Sequence, residues 1–150
     1  MGIGYSRFVI RGLGSKHALA TAMSATATQT SLADALQARF IDFGAKITGL
    51  VQKLPRSPAG THDARQMLRS GTAAAPNYAE ARSAESRADF IHKMRIVLKE
   101  LNETAVWLRM AVRSELFSKD VTSEILAEAE QLCRIVAASI RTAKSPQRQD

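Results

Sequence analysis

Apolar side chains recur every three or four residues along most of the chain, which is the spacing of one buried face on an α-helix. The pattern predicts four helices: one from about Leu32 to Leu54, one from about Ala59 into the low eighties, one that begins after Ser86, and one from about Asp120 to Ala143. No segment alternates apolar and polar residues as a strand does. Because short connections join long helices, we predict an all-α fold, an antiparallel up-down four-helix bundle.

Several helix ends carry recognisable signals. Ser86 with Asp89 three residues later resembles a capping box, and Ser31 is the predicted N-cap of the first helix. Pro58 suits the first turn of the second helix. The inward side of that helix is rich in Ala and Gly, so we expect it to pack closely against a neighbour, and Pro76 is expected to kink it.

Both ends of the chain differ from its middle. Residues 1–30 are rich in Gly, Ser, Thr and Ala and contain no acidic residue, a transit-peptide composition. We expect a disordered leader or translated upstream sequence, with Met23 as an alternative start. The bundle is predicted to span residues 31–144, followed by a flexible basic tail at 145–150. Residues 1–30 carry +3 and residues 141–150 carry +2 of the formal net charge of +7, which weakens any argument for nucleic-acid binding from charge alone.

Within the predicted bundle, six basic residues form a candidate nucleic-acid-binding set. Three of them are spaced by seven on one face of the first helix, and the others follow soon after: Arg39, Lys46, Lys53, Arg56, Arg65 and Arg69. A face of this kind can bind phosphates. A solvated ion-pair face is the alternative, because Asp42 lies between Arg39 and Lys46 and is expected to neutralise part of it.

Two aromatic residues are candidates for an oligomer interface. Trp107 lies at the edge of the apolar stripe of the third helix, and Tyr78 lies in the small-residue helix. The alternatives are the rim of the bundle for Trp107 and local contacts for Tyr78. Charge is also uneven, with a basic excess over residues 31–117 and an acidic excess over 118–140. Such asymmetry suits head-to-tail contacts in a ring as well as nucleic acid.

The sequence contains no constellation typical of catalysis or metal binding. There is no Ser/His/Asp set, no inward pair of carboxylates and no Glu-x-x-His motif, and the three histidines are isolated. We therefore expect no enzyme activity, no metal and no cofactor. Cys133 is the single cysteine and reads as a small core residue. A single cysteine permits no intrachain disulfide, which fits a reducing cytoplasm, so we expect a cytoplasmic protein. No apolar run reaches the length of about 20 residues that a membrane span requires.

Six segments of the chain match one known family in order: RFIDFGAKI, LPRSPAG, ARQMLRSGT, NYAEARSAESRADFIHKMRIVLKELNET, VWL and IVAASIRTAK. From about Leu36 to Lys144, the chain therefore resembles the small bacterial four-helix-bundle proteins named for the intervening sequences of 23S rRNA genes. The resemblance covers about three-quarters of the chain. Pro76 departs from the Gly-Ala-Asn form that is common beside this helix, although a proline here is also familiar in relatives.

The resemblance implies a ring-like homopentamer and supplies no catalytic residue. A related accessory protein of diversity-generating retroelements is a basic barrel that partners a reverse transcriptase and nucleic acid. The implied partners are therefore further copies of the chain, RNA or DNA, and a nucleic-acid enzyme. We expect a non-enzymatic, nucleic-acid-associated adaptor. The alternative is a protein-only scaffold whose charged faces make intersubunit contacts.

Overall fold

The computed structural model describes residues 16–145, and the side chains of residues 32–145. The regular secondary structure of residues 16–145 consists of four α-helices without a strand, which confirms the all-α fold class. Its helices are α1 (Lys16–Val51), α2 (Pro58–Arg82), α3 (Arg87–Arg113) and α4 (Lys119–Lys144).

Helix α1 begins at Lys16, well before the predicted start at Leu32. The predicted N-cap, Ser31, is therefore inside the helix. The segment between Lys16 and Leu32 contains neither Gly nor Pro, so nothing in it interrupts the helix, and its many alanines favour helix formation. The remainder of the predicted leader, residues 1–15, and residues 146–150 of the predicted tail lie outside the described residues.

The other helix ends agree closely with their sequence signals. Ser57 is the N-cap of α2, its Oγ accepting a hydrogen bond from Gly60 N at 3.1 Å, and Pro58 occupies the first turn. Ser86 caps α3 in the same way, accepting from Asp89 N at 3.1 Å. Helix α2 continues through Pro76 to Arg82, so the proline does not end the helix.

The core lies between the inward faces of the four helices. Leu32 and Val121 match the apolar spacing of the first and fourth helices, which predicts burial, but both are exposed because each lies near an end of the packed region. Helix α2 packs on α1 and α3, α4 packs on α3, and α1 contacts α4 more lightly. The fully buried large residues include Phe40, Phe43, Ile47, Met67, Met94, Leu101, Leu108 and Leu132.

Close packing of the small-residue helix is confirmed at Gly71. A Cβ atom at this position would lie 2.8 Å from Ile47 Cγ2 and 2.9 Å from Ile47 Cγ1 on α1. Gly44 on α1 faces the same point, since a Cβ there would lie 3.5 Å from Gly71 O. The two backbones therefore approach closely because neither glycine carries a side chain.

Candidate nucleic-acid interface

Two of the six predicted phosphate-binding residues form ion pairs where α1 meets α4. Arg39 contacts Glu128 at two points, with Nε 3.0 Å from Oε1 and Nη2 2.9 Å from Oε2. Lys46 Nζ lies 2.6 Å from Glu124 Oε1. A groove of about 410 Å³ between α1 and α4 is lined in part by Arg39, Lys46 and Glu128. Its charges are therefore largely neutralised within the chain.

The Lys46–Glu124 pair favours the charged form of both groups. The hydrogen bond between them, followed by their opposite charges, raises the pKa of Lys46 and lowers the pKa of Glu124. Asp42 was predicted to be the neutralising acid, but the acids that contact the two bases come from α4. Asp42 contributes only the weakest of the effects that raise the pKa of Lys46.

A third predicted residue, Arg69, is held by two acids across the α2–α3 seam. Its Nη2 donates to Glu103 Oε1, and its Nη1 lies 3.7 Å from Glu100 Oε2. Glu100 is only 7% exposed, and its buried Oε2 accepts no hydrogen bond. At the same seam, the buried Thr104 of α3 donates from Oγ1 to Ser70 Oγ of α2 at 2.8 Å. Arg69 is thus the cationic neighbour of a buried carboxylate.

Arg69→Ala is expected to lower the free energy of unfolding by roughly 1–3 kcal/mol, because it leaves the buried Glu100 carboxylate without its cation. Arg65→Ala is the matched control on the exposed side of the same helix, and we expect it to change stability by less than about 0.5 kcal/mol. Urea unfolding followed by circular dichroism measures both variants. Equal losses in the two variants would contradict a structural role for Arg69.

The remaining three predicted residues, Lys53, Arg56 and Arg65, are exposed, and their side chains form no ion pair. Lys53 and Arg56 lie in the connection between α1 and α2, and Arg65 lies in the N-terminal part of α2. Asp63 is the nearest acid along the chain, but it belongs to the buried face of α2. We call Lys53, Arg56 and Arg65 the α1–α2 basic cluster.

Trp107 lies half-buried at the α2–α3 seam. Its Nε1 donates to Glu103 Oε1 at 3.4 Å, and its ring meets the ring of His62 edge-on with centroids 5.5 Å apart. This is the position at the bundle rim that the sequence indicated. The ring is partly exposed, so it can also contact a neighbouring subunit. That role in an oligomer interface stays a prediction.

Tyr78, the other predicted interface residue, is only 6% exposed. Its ring packs against Phe40 of α1, with centroids 4.8 Å apart. Burial raises the pKa of its hydroxyl. The ring is therefore used within the core of its own chain, which leaves almost none of it available to a neighbouring subunit.

The described residues also bear on metal binding, on the thiol of Cys133 and on membrane insertion. Over residues 32–145, no three His, Cys, Asp or Glu side chains are grouped so that they could hold a metal ion. Cys133 is half-buried, and burial raises the pKa of its thiol, as does the nearby Glu130. None of the helices in the described part of the chain is long and apolar enough to cross a membrane.

Sequence reasoning missed two sets of charged residues. The first is Glu124 and Glu128, which neutralise α1 from a distant part of the chain. The second is Arg95, Lys99 and Arg113 on the exposed face of α3. The second set was visible in the sequence, because Arg95 and Lys99 are four residues apart and Arg113 follows fourteen residues later, about four helical turns on. Nothing local could have revealed the first set.

Comparison with known proteins places these features in a family. The profile of the 23S rRNA-intervening sequence protein family matches residues 36–138. The chain belongs to this family. A crystal structure of a family relative, described as a protein with unknown function from the S23 ribosomal protein family of Bacteroides thetaiotaomicron, is similar to it, with a TM-score of 0.67 and 32% sequence identity. The similarity covers 71% of this chain and 98% of the other.

No curated protein sequence matches the chain. For this member of the 23S rRNA-intervening sequence protein family, the exposed charged residues of its own surface are the best guide to function. The matched region contains the whole α1–α2 basic cluster as well as Arg39, Lys46 and Arg69. Residues 16–35 of α1 lie outside the matched region.

Proposed function

We propose that this protein is a non-enzymatic, oligomeric helical bundle that acts as a nucleic-acid-associated adaptor. The observation that carries the proposal is the α1–α2 basic cluster, in which three exposed bases within a short stretch of chain lack carboxylate partners. Unpaired lysine and arginine side chains are available to phosphates, whereas paired ones must first lose their carboxylate. Arg39, Lys46 and Arg69 therefore leave the proposed binding set.

The proposed architecture is an antiparallel up-down bundle. Contacts between neighbouring helices support it, because the residue number rises on one helix as it falls on the next. On α1 and α4, Arg39 meets Glu128 and Lys46 meets Glu124. The same reversal is found on α2 and α3, where Arg69 meets Glu103 and Glu80 meets Lys93.

The ring-like homopentamer stays a prediction that depends on the family resemblance. Size exclusion with light scattering on the full chain measures the subunit count directly. The protein-only scaffold is the alternative function, and the apolar side chain of Ile41, 56% exposed on α1, favours it. A contact between copies at that position would bury it.

The adaptor proposal is tested by removing the basic cluster. The triple variant Lys53→Gln, Arg56→Gln and Arg65→Gln is expected to bind duplex DNA or RNA more weakly than the natural chain. Affinity for duplex DNA falls as salt rises, and a plot of log affinity against log salt has a negative slope. For three lost phosphate contacts, this slope should become less steep by about 2.7. Fluorescence anisotropy at several salt concentrations measures the slope.

The matched control carries the same change of charge on α4: Arg134→Gln, Arg141→Gln and Lys144→Gln. These three side chains are also exposed and form no ion pair. The test triple keeps every base in both ends of the chain, so a loss of binding in that variant cannot come from those ends. If the control flattens the slope as much as the test triple, only net charge matters and the proposed site is wrong. Absence of salt-sensitive binding in the natural chain would favour the scaffold.

A further inference from the structure

The exposed face of α3 combines basic and apolar side chains without an acid. It consists of positions at three- and four-residue spacing, which share one side of the helix. We call this face the α3 outer stripe; its members, all exposed, are Arg95, Lys99, Asn102, Val106, Met110 and Arg113.

The acids of α3 do not neutralise this stripe. Glu100 and Glu103 point to α2, where both contact Arg69. Asp89 lies near the start of the helix, 3.9 Å from Lys93. The three bases of the stripe form no ion pair within the described part of the chain, so the stripe is positively charged.

The centre of the stripe is apolar. Val106 and Met110 are 50% and 44% exposed and lie one helical turn apart. Two bases, Arg95 and Lys99, precede them, and Arg113 follows. At a rise of 1.5 Å per residue, the stripe is about 27 Å long, and its two groups of bases are separated by about 21 Å.

We propose that the α3 outer stripe docks an acidic amphipathic helix of a partner protein. Such a helix, of about the same length, would place apolar side chains on Val106 and Met110 and carboxylates near the bases at both ends. Nucleic acid fits this surface less well. Each strand of a duplex carries a phosphate about every 3.4 Å. The side chains of Val106 and Met110 offer those phosphates no donor, and Asn102 Nδ2 already donates to Leu98 O.

A neighbouring groove provides a place for an anchoring side chain. This groove has a volume of about 330 Å³ between α3 and α4, and Val112 and Leu126 supply apolar parts of its lining. Arg113 belongs both to the groove and to the stripe, so the two surfaces are continuous. Interfaces of this type gain most of their binding energy from a few apolar anchors surrounded by polar contacts.

The inference is independent of the proposed nucleic-acid site, since it uses none of the same residues. Failure of one test leaves the other unaffected.

The probe is a synthetic helical peptide of about 18 residues, matching the length of the stripe. It carries leucines along its central apolar face and glutamates at both ends, and a matched peptide has lysines in place of the glutamates. Fluorescence anisotropy with the full chain is expected to show at least about tenfold tighter binding of the glutamate peptide. Hydrogen exchange should show protection over residues 95–113 when that peptide is bound.

The variant Val106→Ser with Met110→Ser is expected to weaken peptide binding by about tenfold or more. Arg95→Gln with Lys99→Gln should weaken it and flatten its salt dependence, whereas the control Leu32→Ser, at an exposed apolar side chain on α1, should leave it unchanged. Three results would overturn the inference: unchanged binding by the Val106/Met110 variant, displacement of the peptide by duplex RNA, or a smaller oligomer formed by that variant. The last result would identify the stripe as a contact between copies of the chain.

Discussion

Gly60→Ala is expected to lower the free energy of unfolding by at least the roughly 1–3 kcal/mol typical of overpacking. A Cβ at position 60 would overlap the carbonyl oxygen of Pro55 and lie 3.2 Å from Pro55 Cγ. The obstructing atom belongs to the backbone, so a change of rotamer cannot relieve the overlap. The first turn of α2 would have to move, which would also disturb the hydrogen bond from Gly60 N to Ser57 Oγ.

Gly49→Ala is the control for this prediction. A Cβ at Gly49, inside α1, would have no neighbour within 4 Å. Alanine is favoured over glycine in a helix by about 1 kcal/mol, so this variant should be equally stable or more stable. Urea unfolding of the two variants measures the difference. Similar stability for Gly60→Ala and Gly49→Ala would show that the connection carrying Lys53 and Arg56 is free to move.

Ile47→Ala is expected to destabilise the protein by about 2–5 kcal/mol, the range for deleting a large aliphatic side chain from a core. Ile47 is completely buried, and its side chain fills the space left by Gly71 on α2. The physical cause is both lost burial and a cavity at the α1–α2 contact.

Combining Ile47→Ala with Gly71→Ala tests whether these two residues share one space. The new methyl group at position 71 would occupy part of the cavity, so the double variant should be more stable than the sum of the single effects predicts. Residues in direct contact show such coupling at about 0.5–3 kcal/mol. A double-mutant cycle from urea unfolding gives the coupling, and additive effects would contradict the close approach of α1 and α2.

The candidate site shows where sequence reasoning reached its limit. Arg39, Lys46 and Lys53 have the same seven-residue spacing, so the sequence presents them as equivalent. In the folded chain, Arg39 and Lys46 are neutralised by α4, whereas Lys53 lies beyond the end of α1 and stays unpaired. Arg65 and Arg69 divide in the same way, because only Arg69 reaches the acids of α3.

The sequence by itself determined the helices, most of their ends and most of the buried residues. These depend on local signals, namely the 3.6-residue period, Pro58 in the first turn of α2 and the cap at Ser86, which act within one or two turns. Only the tertiary structure decided which bases stay free for a partner. Glu128 is 89 residues from Arg39 along the chain, and an ion pair between them exists only because packing of the helices brings α4 beside α1.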